Sequence, residues 1–203
     1  MRTAKEIALI GVFTALLIGG QLALYQVAGV EIVTVLLLSF SYYFGLRTGL
    51  FVANAFSILR CLLFGFFPTV IILYLVYYNL FVLVFALLGK KFERKLTLKI
   101  HIMLIVVACL MTILFTALDN VITPLYYGYT LEAAKAYALM SLTAVVPQTI
   151  CAAVTVLLIL PVLLRIYSAM KLGKNDSRKK AAHDRENESE DDLNDDVPGN
   201  NNK

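Results

Sequence analysis

Six apolar runs, each close to the length of a membrane crossing, leave this chain few ways to fold. They are Ile7–Tyr25, Ile32–Leu46, Gly49–Phe67, Thr69–Leu88, Ile100–Leu118 and Ala138–Ile166. A bilayer core of about 30 Å takes about 20 helical residues. In lipid, backbone N–H and C=O groups must bond within the protein, so a crossing is a helix or part of a closed barrel. The runs lack the period-two alternation of barrel strands. The predicted fold class is an all-α membrane protein, a six-transmembrane-helix bundle. The second run is short for a full crossing. The sixth is long and holds Pro147 and Pro161, which predicts a kink or a strong tilt.

Composition agrees. The 203 residues are 60% apolar and 16% charged, against about 45–50% and about 25% in soluble domains. That argues against a water-soluble enzyme, a nucleic-acid module and a disulfide scaffold. The formal net charge of +4 is uneven. Residues 1–170 hold 11 Lys/Arg and 5 Asp/Glu; residues 171–203 hold 7 and 9. Two parts follow: a six-helix transmembrane domain over 1–170, and a charged tail over 171–203. The tail has too few apolar residues to bury a core, so disorder is expected.

The body charges are sided. Arg2 and Lys5 precede the first run, and Arg47 follows the second. Lys90, Lys91, Arg94, Lys95 and Lys99 separate the fourth from the fifth, and Arg165 and Lys171 end the sixth. With six crossings these fall on one side, and Glu31, Asp119, Glu132 and Lys135 fall on the other. The positive-inside rule then places both termini in the cytoplasm. The run after Arg2 and Lys5 is too long for a usual signal-peptide core, so it reads as a retained helix.

Catalytic equipment is missing from the motifs. Cys61, Cys109 and Cys151 fall in separate apolar runs, and His101 and His183 stand far apart. No HExxH, GxSxG, P-loop or paired intramembrane carboxylates occur. The expectation is a non-enzyme without metal or cofactor.

Polar and small residues mark candidate surfaces. On the first helix Ala8, Gly11, Ala15 and Gly19 share one arc, and Thr14, Gln21 and Tyr25 form a second stripe. Such a smooth face serves either ordinary helix packing or the docking of another protein. In the third run Gly45, Gly49, Ala53, Ser57, Cys61 and Gly65 recur at every fourth position, which suits a crossed, closely packed neighbour. Arg60 lies well inside that run. A charge at mid-membrane costs at least about 2.5 kcal/mol, so it needs a partner or water. Three readings stand: an ion pair with Glu31 or Asp119, an anchor for an anionic ligand, or snorkelling to the outer headgroups. Tyr74, Tyr77, Tyr78, Phe81 and Phe85 form an aromatic stripe on the fourth helix, fit for packing or for stacking on a ligand ring. Ser141, Gln148 and Thr155 form a polar stripe on the sixth, and Tyr126, Tyr127 and Tyr129 mark an outer interface belt or lid.

The opening "AKEIALIGVFTALLIGGQLAL", with Gly11-x-x-x-Ala15, resembles the first helix of the substrate-binding S components of energy-coupling factor (ECF) vitamin transporters. The stretch "VEIVTVLLLSFSYYFGLRTGLFVANAFSILRCLLFGFFPT" and the ending "LLILPVLLRI" are similar to these proteins as well. The family's usual alanine is glycine at Gly11. The likeness runs over about residues 3–171. It implies a binding subunit in the cell membrane that captures a vitamin-like small molecule from outside the cell. It also implies partners: a transmembrane coupling subunit and two ATPase subunits, with Ala8, Gly11, Ala15 and Gly19 on the docking helix. Depth and helical face select Gln21, Tyr25, Glu31, Arg60, Tyr74, Asp119, Asn120 and Gln148 as candidate substrate-binding residues. The alternative is a structural or regulatory multi-pass membrane protein with no small-molecule ligand.

Overall fold

The computed structural model describes residues 4–24 and 32–195, with side chains through residue 169. Tyr25 and Glu31 lie outside the described residues. Six helices follow one another: α1 (Ala4–Leu24), α2 (Val33–Phe44), α3 (Leu46–Phe64), α4 (Pro68–Lys91), α5 (Leu98–Tyr127) and α6 (Leu131–Asp195). No strand occurs among the described residues. The protein is an all-α, multi-pass membrane bundle. All but α2 have a stretch long and apolar enough to cross a membrane.

The exception is instructive. With 12 residues, α2 is about 18 Å long at 1.5 Å per residue, short of a bilayer core. It is buried all round: every residue from Val33 to Tyr42 is inaccessible. A helix apolar on every side belongs inside the bundle rather than against lipid. Accordingly α4 packs on α2, α3 and α5, while α1 packs on α3 and α2. Large exposed apolar side chains such as Leu62, Val106 and Leu158 cover the outside, as a lipid-facing surface requires.

Close approaches need small residues. A Cβ on Gly89 of α4 would collide with the backbone carbonyl of Tyr42, so only glycine lets α4 cross the end of α2 here. A Cβ on Gly49 would lie 2.7 Å from Val82 Cγ1 and 3.1 Å from Ser41 Oγ. Ala53, Ser57 and Cys61 continue this seam and are all buried. The every-fourth series on α3 is therefore interior packing, set against α2 and α4 at Gly49.

One polar link crosses that seam. Asn54 Nδ2 donates to Asn79 Oδ1 at 3.0 Å, and Asn79 Nδ2 donates back to Asn54 Oδ1 at 3.1 Å. Each amide also donates to a carbonyl one turn back, Leu50 and Leu75, at 2.8 Å. All hydrogens of both amides are used, which is what a polar group within an apolar span needs.

The antiparallel α5–α6 hairpin is joined by polar bonds along its length. His101 Nε2 bonds the Val156 carbonyl at 3.1 Å; since a carbonyl only accepts, that nitrogen carries the proton. Asn120 Nδ2 donates to Ser141 Oγ at 2.9 Å. The helix of α6 is unbroken through Pro147 and Pro161.

The chain divides into two compact units, Met1–Leu163 and Leu164–Lys203. The bundle fills the first. In the second, α6 continues to Asp195, although the tail's composition predicts disorder. Composition speaks to core burial. Local propensity is a separate matter: Lys, Arg, Ala and Glu are good helix formers, and no proline falls between Pro161 and Pro198.

The described ends of the helices meet on one side around a cavity of about 1090 Å³, lined by Glu6, Tyr42, Arg47, Lys90 and Arg94 among others. Thus α1 starts, α2 ends, α3 starts and α4 ends on the same, basic side, as the charge pattern predicts. Gly89→Ala is expected to lower the melting temperature of the detergent-purified protein strongly, because overpacking against backbone cannot relax by rotamer change. Gly19→Ala, where a Cβ meets nothing within 4 Å, serves as the control and should be neutral. Equal melting temperatures for the two variants would contradict the proposed close approach.

Candidate functional site

The end of the bundle opposite the basic cavity holds two groups of expected site residues, Arg60 with Tyr74 and Asp119 with Asn120. Arg60 lies one turn before the C-terminus of α3. Its guanidinium carbon sits 4.4 Å from the centre of the Tyr74 ring on α4 and 5.3 Å from that of Phe64. Two aromatic faces thus stabilise the cation, an interaction of about 0.5–2 kcal/mol that grows as water is removed. Yet Arg60 Nε is buried and has no hydrogen-bond partner. Among the described residues the one ion pair joins Lys95 to Glu93, on the basic side. The expected pairing of Arg60 with Asp119 does not occur: Asp119 instead accepts from Thr123 and Tyr137. Glu31, the other expected partner, lies outside the described residues.

Asp119 belongs to a second polar group. Its Oδ1 accepts from Thr123 Oγ1 and its Oδ2 from the Tyr137 hydroxyl, both at 2.7 Å. Next to it, Asn120 gives its amide to Ser141 and keeps a buried Oδ1 with no partner. Pro124 adds to the local shortage of donors: lacking an N–H, it cannot bond the Asn120 backbone carbonyl one turn back. Aromatic rings link this group to the surface. Tyr137 contacts Tyr129, and Tyr129 stacks on Tyr127 with centroids 6.1 Å apart and planes at 24°. All three tyrosines of the expected outer belt are exposed.

The two groups are bridged by Phe115. Its ring meets Tyr74 at 5.8 Å and Tyr77 at 4.8 Å, and it stands one helical turn before Asp119 on α5. The aromatic stripe of α4 faces inward as a whole: Tyr74, Tyr77, Tyr78, Phe81 and Phe85 are all buried. It packs the bundle, and Tyr74 adds a ring for Arg60.

The remaining candidates stay apart. Gln21 of α1 is half-buried, and its Oε1 is buried without a partner, as is Thr14 Oγ1. Gln148 is half-buried in the first third of α6, and Thr155 bonds back to carbonyls of its own helix. Of the four buried polar atoms without a partner among the described residues, three belong to candidates: Gln21, Arg60 and Asn120. Buried polar atoms are normally satisfied, so this coincidence marks an unfilled need for hydrogen bonds. No group of described His, Cys, Asp and Glu residues is placed to hold a metal ion.

The small-residue arc of α1 looks outward. Ala8, Gly11, Ala15 and Gly19 are all exposed, and a Cβ on Gly11 or Gly19 would meet nothing within 4 Å. The interior face of the same helix is Phe13, Thr14, Leu17 and Ile18. So the arc takes no part in packing this bundle.

Sequence reading passed over Tyr137, Thr123 and Phe115. Tyr137 had a findable signal: it stands nine residues after Gly128, and Asp119 nine before it, so a tight α5–α6 turn sets them opposite. No family model matches the chain, and no curated protein or solved structure is significantly similar to it.

Tyr137→Phe leaves Asp119 Oδ2 without its donor. It should destabilise the protein by about 1.5–3 kcal/mol, the range for hydrogen bonds to charged groups. Thermal unfolding in detergent reads the change; an unaltered melting temperature would show that the bond contributes nothing.

Proposed function

We propose that this chain is the membrane-embedded substrate-binding subunit of an ECF-type importer in the cell membrane. It captures an anionic, partly planar vitamin-like molecule from outside the cell and works with a transmembrane coupling subunit and two ATPase subunits. It performs no chemistry of its own.

Arg60 carries the reading. A half-buried arginine set against Tyr74 and Phe64, with its Nε buried and unpartnered and no carboxylate on it among the described residues, is a costly arrangement in a membrane. An anionic ligand group would supply both the missing charge and the missing acceptor. Asn120 and Gln21 offer further unfilled hydrogen-bonding atoms. Tyr74, Asp119 and Gln148, with Tyr25 and Glu31, complete the proposed substrate-binding set. The open arc of α1 supports the second half of the proposal. A face that its own bundle leaves unpacked lets another helix come close, which suits Ala8, Gly11, Ala15 and Gly19 to contact with the coupling subunit.

Gently purified protein should carry a bound anionic metabolite in native mass spectrometry. Arg60→Gln should weaken that ligand about 10- to 100-fold, the loss of one charge-assisted hydrogen bond. Unchanged affinity would remove Arg60 from the site. Tryptophan at both Gly11 and Ala15 should abolish co-purification with the coupling subunit while ligand binding persists. Survival of that co-purification would refute the docking face.

A further inference from the structure

The cavity at the basic end has no part in the outer site. It measures about 1090 Å³ and lies where α1, α2, α3 and α4 come together. Arg47, Lys90 and Arg94 line it, and all three are exposed. Two carboxylates, Glu6 and Glu93, line it as well. Glu93 is already held by Lys95, Nζ to Oε2 at 2.7 Å, so the free charges at the cavity are three cations against Glu6.

Arg94 is placed there at a cost. Glu93 and Arg94 adopt consecutive left-handed conformations, φ 51° and 60°, a region that side chains other than glycine and asparagine rarely enter. The turn is held by Arg94 N–H donating to the Gly89 carbonyl at 2.9 Å and by the Tyr42 hydroxyl donating to the Lys95 carbonyl at 2.7 Å. One result is that Arg94 Nη2 comes within 3.9 Å of where a Cβ on Gly45 would stand. Gly45 caps α3, and Gly49 N–H is the first to bond back to it, at 3.1 Å. The N–H groups of Leu46, Arg47 and Thr48 therefore precede the helix's own ladder, at the positive end of its dipole. Strained backbone that aims a cation over a helix start, beside two more cations, is an arrangement suited to a phosphate.

The surroundings specify the phosphate's carrier. Leu46 and Leu87 also line the cavity, and Leu87 is 54% exposed on the lipid-facing side of α4. The cavity thus runs from a cluster of cations to an apolar outer surface. Its basic side is the one assigned to the cytoplasmic leaflet, where anionic lipids gather. Glu6 disfavours a doubly charged group and can accept hydrogen bonds from hydroxyls.

We propose that this cavity binds the phosphodiester of an anionic, hydroxyl-bearing phospholipid headgroup, with Arg47, Lys90 and Arg94 on the phosphate and Glu6 on the headgroup hydroxyls. The site is independent of the import reading, and its test uses no transport partner or imported ligand.

The full chain, purified in detergent, is titrated with phosphatidylglycerol, phosphatidylcholine, or inorganic phosphate, with binding read by native mass spectrometry and by melting temperature. Phosphatidylglycerol should bind and stabilise where phosphatidylcholine does not. The double variant Arg47→Gln/Arg94→Asn should weaken phosphatidylglycerol about 30-fold, two surface cations being lost. Asparagine tolerates the left-handed backbone at position 94, so the lipid-free melting temperature should hold. Lys90→Gln alone gives a second, milder readout if the double variant does not fold. Inorganic phosphate that displaces the lipid and stabilises the protein equally well would reassign the occupant to a soluble phosphate and overturn the lipid assignment. Equal binding of both lipids, or full phosphatidylglycerol preference in the folded variants, would overturn the site itself.

Discussion

The pairing of α3 with α4 underlies everything else in this bundle, and the reciprocal Asn54–Asn79 amide pair fixes it. Lipid tails are as apolar as leucine, so burial of hydrocarbon drives helices together only weakly within a membrane. Small residues let two helices approach, but a smooth seam leaves their offset loosely defined. Two amides that each donate to the other across the seam define that offset. Along α3, Arg47 stands about 10 Å before Asn54 and Arg60 about 9 Å after it, at 1.5 Å per residue. On α4, Lys90 and Tyr74 flank Asn79 in the opposite sense. One central contact therefore registers both the basic cavity and the Arg60–Tyr74 stack.

The two ends that this pairing organises differ in how their polar groups are satisfied. At the basic end the cations are exposed around an open cavity. At the opposite end Arg60, Asn120 and Gln21 each keep a buried atom without a partner. Exposed cations cost little to leave unpaired, whereas buried unpaired atoms cost stability. The bundle's unmet polar demand is thus concentrated away from the basic end and on three different helices, α1, α3 and α5.

Much of this was legible in the sequence, because lipid simplifies the problem. The helical class and the order of the six elements follow from run length and the need to satisfy the backbone. The burial of Gly49, Ala53, Ser57 and Cys61 follows from their every-fourth spacing. Boundaries were less legible. Helices α5 and α6 extend well past the apolar runs, to Tyr127 and back to Leu131, since amphipathic turns beyond the apolar core remain helical. The role of α2 was hidden too: a short apolar run looks alike whether it faces lipid or lies inside a bundle. Pairings depend on which helix faces which. Asn54 lies eleven residues before Gly65 and Asn79 twelve after Phe67, so a tight α3–α4 turn would have brought them together. Thr123 one turn on and Tyr137 across the α5–α6 turn could be read as neighbours of Asp119, but no spacing shows whether Arg60 would reach it. The left-handed pair Glu93–Arg94 carries no sequence signature at all, since neither residue prefers that conformation.

The outward arc of α1 has a mechanical consequence. Ordinary helix contacts interlock, with side chains of one helix seated between those of the next, so sliding by a turn means lifting every knob from its hole. Ala8, Gly11, Ala15 and Gly19 offer no such knobs. A second helix resting there would be held close by backbone-to-backbone dispersion, yet could rotate or slip along the axis against little friction. For the docking proposed above, such an arc would fix distance more firmly than position.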